Sequence, residues 1–266
     1  MKKLLITAVI IILGIDYACG QGDLNEQQKI FFRNERTIAI LLNTDGWGLS
    51  YRMGKRLDYL NKKIIDFDFG TLRDSKEVKL SNPVYQTPGT FVFGKLNSVW
   101  YFRGGLGHQK EIYKKADLGG VAIRFFYSGG PVFAFYKPIY YKILVPVSST
   151  EFTIEEQKFD VNKLDPTMIY GKASFFKGFD ELKIMPGLFA KSGFNFEYSK
   201  QDKLIHAIEV GAQVNLFPKV IPIMATTSNK AIFFSLFASY RFGVVLDPTN
   251  PEANTFDNLF RSKKKK

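Results

Sequence analysis

Apolar and polar residues alternate along most of this chain, a period of two that builds β-strands with two unlike faces. The clearest run is 203–217, where Leu204, His206, Ile208, Val210, Ala212, Val214 and Leu216 share one face and Lys203, Glu209, Gly211, Gln213 and Asn215 the other. In 184–198 the faces are Ile184, Leu188, Ala190, Phe194, Phe196 and Tyr198 against Gly187, Lys191, Gly193, Asn195 and Glu197. Residues 230–242 set Ile232, Phe234, Leu236, Ala238, Tyr240 and Phe242 against Ser235, Ser239 and Arg241. Residues 46–55 set Trp47, Leu49, Tyr51 and Met53 against glycines, Ser50 and Arg52.

Shorter runs start at Ile38, at Ile65 (Phe67 and Phe69 alternating with Asp66 and Asp68), at Trp100 (with Arg103 on the opposite face) and at Val121 (flanking Arg124). Residues 131–145 are apolar on both faces, and 168–177 is the weakest pattern. Polar, turn-forming stretches at 43–46, 128–130 and 199–202 predict tight hairpins. Long connections are expected over about 71–96 and 146–167. The pattern predicts an all-β, antiparallel fold of about ten strands, with eight or twelve as alternatives.

Three features point to a barrel closed inside a membrane. Several segments run ten to fifteen residues, whereas strands of soluble proteins average about five to six and a tilted bilayer-crossing strand needs about nine to eleven. The less apolar face carries charges and glycines, which suits a barrel interior facing away from lipid. Aromatics (Trp47, Tyr59, Trp100, Tyr127, Tyr140, Tyr198, Tyr240) sit near strand ends, as interfacial girdles do. A soluble β-barrel is the rival fold, with its apolar face inward.

The first twenty residues read differently. Lys2 and Lys3 precede an apolar stretch from Leu4 to Ile15, and Ala18, Cys19 and Gly20 lead into Gln21. This is the pattern of a secretory signal cut before Gln21. Acylation at Cys19 is the alternative, though Asp16 and Tyr17 fit such a site poorly. The expected organisation is therefore a signal peptide at 1–20, a lead-in at 21–34, a barrel at 35–246 and a basic, periplasmic tail at 247–266.

On these residues the chain resembles small outer-membrane β-barrel proteins of Gram-negative bacteria, and its Phe/Tyr/Lys-rich strands look like those of the Bacteroidota. The resemblance rests on architecture and covers roughly 35–246. It implies an outer-membrane location with lipid as a neighbour, and a role in protein secretion or outer-membrane protein assembly. Unlike barrels that end on the aromatic closing the last strand, this chain continues for 24 residues past Phe242.

Composition narrows the chemistry. The chain has one Cys and two His, which leaves little for a disulfide scaffold or a His/Cys metal site. No phosphate-binding or Gly-x-Ser-x-Gly motif occurs, so neither enzyme nor cofactor is expected. His108, in a predicted turn, His206, on the predicted lipid face near a strand end, and the Asp66–Asp68 pair are what a hydrolase could use. The predicted interior carries Arg52, Arg103, Arg124, Lys191 and Arg241 against Asp66, Asp68, Glu197 and Glu209, a near-neutral set that reads as a structural ion-pair network filling a small lumen. Of the formal charge of +12, Arg261 and Lys263, Lys264, Lys265 and Lys266 at the end of the tail supply +5. Phe256, Leu259 and Phe260 fall on one face of a helical turn there, so the tail reads as a docking peptide for a protein partner or anionic headgroups. Nucleic acid is not an expected partner. The sequence thus favours a non-enzymatic scaffold or accessory subunit of an envelope machine, with a narrow transport channel as the alternative.

Overall fold

The computed structural model describes residues 34–84, 89–116, 119–146, 152–160, 166–199, 204–226 and 229–246. Eight long strands close into an antiparallel barrel in which each is paired with its two neighbours. In chain order these are β1 (Asn34–Asn43), β2 (Gly46–Arg56), β3 (Asn61–Leu72), β6 (Asn97–Tyr113), β7 (Ala122–Pro138), β11 (Lys183–Glu197), β12 (Leu204–Leu216) and β13 (Ile232–Leu246). Closure is made by β13 against β1, with Ile38 opposite Phe242 and Ile40 opposite Tyr240. Closing the sheet pairs the backbone edges that an open sheet would leave bare.

Connections at the end holding residues 34 and 246 are short. At the far end, the β1–β2 turn is tight and the other connections are longer. A hairpin of β4 (Lys79–Ser81) and β5 (Thr90–Val92) lies between β3 and β6, and a three-stranded cap sheet in the order β10-β8-β9 lies between β7 and β11. The cap strands are β8 (Tyr140–Pro146), β9 (Phe152–Lys158) and β10 (Ile169–Lys172).

The strand count is eight, not ten, and both lost strands have a physical reason. The Ser128-Gly129-Gly130 sequence that reads as a hairpin lies inside the 17-residue strand β7. Gly130 stands where β6 and β7 approach closely, and a Cβ there would come within 2.3 Å of the Gly104 carbonyl oxygen. The glycines thus serve a strand-to-strand contact rather than a turn. Residues 121–127 and the start of 131–145 are therefore one strand. The weak 168–177 run contributes only β10, outside the barrel.

Alternation sorts the faces as the side-chain period requires. Ile38, Ile40, Leu42, Leu49, Phe67, Phe69, Leu106, Leu188, Ile208, Phe234 and Leu236 point outward and are exposed, while every charged residue expected inside is buried. The outward run from Ile232 to Phe242 covers about 33 Å of strand at about 3.3 Å per residue, or about 25 Å of height at a tilt of about 40°.

Candidate functional site: the charged lumen

The interior is filled in layers. Nearest the far end is an apolar layer, in which Phe217, Ile221, Ile223 and Met224 of the β12–β13 connection fold into the mouth against Leu72, Tyr101, Val132, Phe189 and Phe233. Backbone bonds pin this plug to the rim: Leu96 N–H donates to the Ile223 carbonyl at 2.9 Å and Ala225 N–H to the Gly94 carbonyl at 2.7 Å. The Asn97 side-chain amide donates to the Pro222 carbonyl at 2.6 Å.

Seven of the expected lumen residues meet below the plug. Arg52 binds Asp66 through two nitrogens, Nε to Oδ1 at 2.6 Å and Nη2 to Oδ2 at 3.2 Å, and gives Nη1 to Glu209 Oε1 at 2.6 Å. This fork geometry is the strong form of the arginine–carboxylate pair. Glu209 also accepts from Arg241 Nη2 at 3.0 Å, Asn195 Nδ2 at 2.8 Å and Ser239 Oγ at 3.3 Å. Arg241 donates further to Thr37 Oγ1 at 3.0 Å and Ser50 Oγ at 3.2 Å. Asp68 Oδ2 takes Lys191 Nζ at 3.2 Å and lies 3.5 Å from Arg103 Nη2. The Arg103 guanidinium sits between the rings of Tyr101, at 4.1 Å, and Phe189, at 5.2 Å.

The other two, Arg124 and Glu197, pair with each other in a separate layer toward the terminal end. Arg124 also reaches Glu111 at 3.3 Å, and Lys115 donates to Glu197 at 3.0 Å. Lys62 pairs with Glu35 nearby. The sequence reading missed Glu35, Lys62, Glu111 and Lys115. Extending the parity of the strands would have found three of them, since Lys62 shares a face with Asp66, Glu111 with Arg103, and Glu35 with Thr37.

The lumen is also more apolar than a polar-face reading suggests. Leu41, Phe126, Phe189, Phe233 and Phe237 all point inward. Phe126 lies 4.4 Å from the Arg52 guanidinium and Phe237 lies 5.0 Å from Lys191 Nζ, so the rings shield the charges and attract them.

The hydrolase candidates are placed apart. Asp66 and Asp68 are each committed to cations inside the lumen. His108 is not in a turn: β6 continues past Gly107 to Tyr113, and the ring faces outward, 5.8 Å from that of Tyr127. His206 also faces outward, with Nδ1 2.8 Å from the Tyr240 hydroxyl. Among the described residues no group of three or more His, Cys, Asp or Glu could hold a metal ion. The tail residues Phe256, Leu259, Phe260, Arg261 and Lys263 to Lys266, and the signal at 1–20, lie outside the described residues.

At the far end a cavity of about 650 Å³ opens between the β1–β2 turn and the β4–β5 hairpin, lined by Trp47, Phe91 and Tyr141 and by Arg73, Lys79, Lys95 and Lys172. Burial, and then the positive charge of Lys95, push the Lys172 ammonium pKa down. Burial likewise raises that of the Tyr141 hydroxyl, which donates to the Val92 and Lys95 carbonyls.

No family model matches the sequence, and no curated protein matches it significantly. Solved structures are similar at low identity. Neisserial surface protein A is 10% identical, with 80% of this chain and 96% of that one covered and a TM-score of 0.36. The attachment invasion locus protein Ail of Yersinia pestis is 8% identical, with 82% and 100% covered and a TM-score of 0.38. The N-terminal β-barrel domain of Pseudomonas aeruginosa OprF is 6% identical, with 80% and 97% covered and a TM-score of 0.34. These scores carry no functional inference.

Proposed function

We propose that this chain is a non-enzymatic, integral outer-membrane β-barrel that acts as a scaffold or accessory subunit of an envelope machine, in protein secretion or outer-membrane protein assembly. The observation that carries the membrane reading is the inversion of faces: Arg103, Arg241, Asp66 and Glu209 are buried inside while Ile40, Phe69, Phe234 and Leu236 stand exposed outside. In water such a surface would be an aggregation site on every strand, whereas lipid accepts it. The outward band of about 25 Å matches the apolar height of such barrels.

The scaffold reading is supported by what fills the lumen. Ion pairs and an apolar plug occupy the interior of an eight-stranded barrel, which argues against a diffusion path, and the carboxylates of a would-be active site are spent on arginine and lysine. The structured caps at one end are one surface left for partners, and the sequence beyond Leu246, basic and with Phe256, Leu259 and Phe260 at helical spacing, supplies a second candidate. With residues 34 and 246 at the periplasmic end, the caps face outward.

Migration of an outer-membrane fraction on gels, with and without heating, tests the barrel. A soluble, heat-insensitive species would end the membrane reading. Purification in mild detergent tests the scaffold role: partners should co-purify with the full chain and be lost on deleting 247–266. A lone monomer in both cases would refute it.

A further inference from the structure

Residues 174–182, in the connection from β10 to β11, are folded against the outside of the barrel. Lys177 N–H donates to the Ser174 carbonyl at 3.2 Å, and Glu181 N–H to the Gly178 carbonyl at 3.3 Å, making two successive turns. Gly178 has φ +86°, a conformation that favours glycine. The Lys137 ammonium donates to the carbonyls of Phe175 and Lys177 and lies 4.6 Å above the Phe179 ring. Phe179 stacks on Trp100 at 6.2 Å, and Phe175 meets Trp100 edge-on at 5.8 Å. Phe176 packs edge-on against Phe175 at 5.6 Å.

The rings are held in place yet remain open to the surroundings, with Phe176 79%, Phe175 48% and Phe179 43% exposed. They are continuous with the outward face of the barrel, because Trp100 lies two residues before Phe102 on β6 and Ile184 follows directly on β11. Ion pairs of Lys177 with Glu156 and of Lys158 with Glu181 join the loop to β9 of the cap sheet.

We propose that loop 174–182 is a membrane-interface anchor whose partner is the bilayer: Phe175, Phe176 and Phe179 seat at the acyl–headgroup boundary of the outer leaflet. Continuity with the lipid-facing wall identifies the occupant, and three clustered exposed rings have little other reason to stay on a surface. The proposal rests on the membrane reading and adds that the cap sheet, tied to the loop by its two ion pairs, is held close to the membrane surface.

The test uses the full chain in phosphatidylcholine vesicles with lipids brominated either near the headgroup or near the bilayer centre. Trp47→Phe and Trp100→Phe remove the native reporters, and one tryptophan is then introduced by Phe176→Trp, by Phe67→Trp on the barrel wall or by Phe152→Trp on the cap. The Phe176→Trp reporter should emit at shorter wavelength than the Phe152→Trp reporter and lose most intensity to the shallow bromines. The Phe67→Trp reporter should lose most to the deep ones. A Phe176→Trp reporter that is unquenched while the Phe67→Trp reporter is quenched overturns the anchor and leaves the membrane reading standing. If that unquenched emission is also blue-shifted, protein, such as a second copy, covers the loop instead of lipid. Loss of quenching at both positions overturns the membrane reading and the anchor with it.

Discussion

Glu209→Gln keeps the shape of the side chain and removes one charge from the centre of the lumen. Glu209 is fully buried and accepts from Arg52, Arg241, Asn195 and Ser239. Arg52 would keep Asp66, but Arg241 would lose its carboxylate and be left with neutral acceptors, the Gln amide oxygen and the hydroxyls of Thr37 and Ser50. Four buried cations (Arg52, Arg103, Lys191, Arg241) would then face two carboxylates, Asp66 and Asp68. Breaking a buried pair by removing one partner costs about 3–5 kcal/mol, which is about two to three and a half powers of ten in the folding equilibrium. Urea unfolding of the reconstituted barrel, read by the heat-sensitive gel shift, measures this. Lys158→Ala is the control, because the Lys158–Glu181 pair lies on the surface, with side chains 49% and 35% exposed, and such pairs contribute little to stability. The double variant Glu209→Gln with Arg241→Met should recover much of the loss, since the unmated cation is gone. If Glu209→Gln shifts stability by no more than Lys158→Ala, the network is not what holds the lumen together.

Other outcomes follow from the same geometry. The protein should be electrically silent in planar bilayers, and replacing 218–226 with a Gly-Ser linker should leave it silent, because the Arg103–Asp68–Lys191 layer still crosses the lumen; conductance in the linker variant would show that the plug alone seals it. Gly130→Ala places a Cβ 2.3 Å from the Gly104 carbonyl oxygen, so β6 and β7 must part; overpacking of this kind costs about 1–3 kcal/mol, and wild-type urea stability would contradict it. Asp58, in the exposed β2–β3 turn, accepts from the Asn61 side chain and from the Leu60 and Asn61 N–H groups, which hold its carboxyl below its ordinary value of 3.8. A carboxyl lowered on folding stabilises the fold above its unfolded pKa and loses that contribution as pH falls through the folded value. Carbon-detected NMR titration should therefore find Asp58 still ionised below pH 3.8, and Asp58→Asn should flatten the acid side of the stability profile.

The two faces were legible in the sequence because a barrel wall has lipid on one side and packed polar groups on the other, so the period of two survives in nearly every strand. Strand number was not legible, because glycine serves both turns and close strand approach, and Gly129 and Gly130 do the second. The phenylalanines inside the barrel were hidden for a related reason. Phe126, Phe189, Phe233 and Phe237 stand at positions whose parity is polar, and a count of aromatics assigns them to lipid. The mouth plug left no periodic trace, since Phe217, Pro218, Ile221, Pro222, Ile223 and Met224 follow the shape of a rim, not a strand or helix.

Arg241 has a consequence for the time course of assembly. Its partners lie on β1, β2 and β12, and Thr37 is 204 residues away in sequence. Arg52 and Glu209 are likewise 157 residues apart. Contacts at such separation form late, after the entropy of closing very large loops has been overcome. Until β13 arrives, Glu209 lacks Arg241 and the charged face of the half-built sheet stands open to water, so an open intermediate gains little by entering lipid. Folding and insertion are therefore coupled into one late event, and a chain stopped short of residue 241 should wait at the membrane surface instead of inserting with a gap.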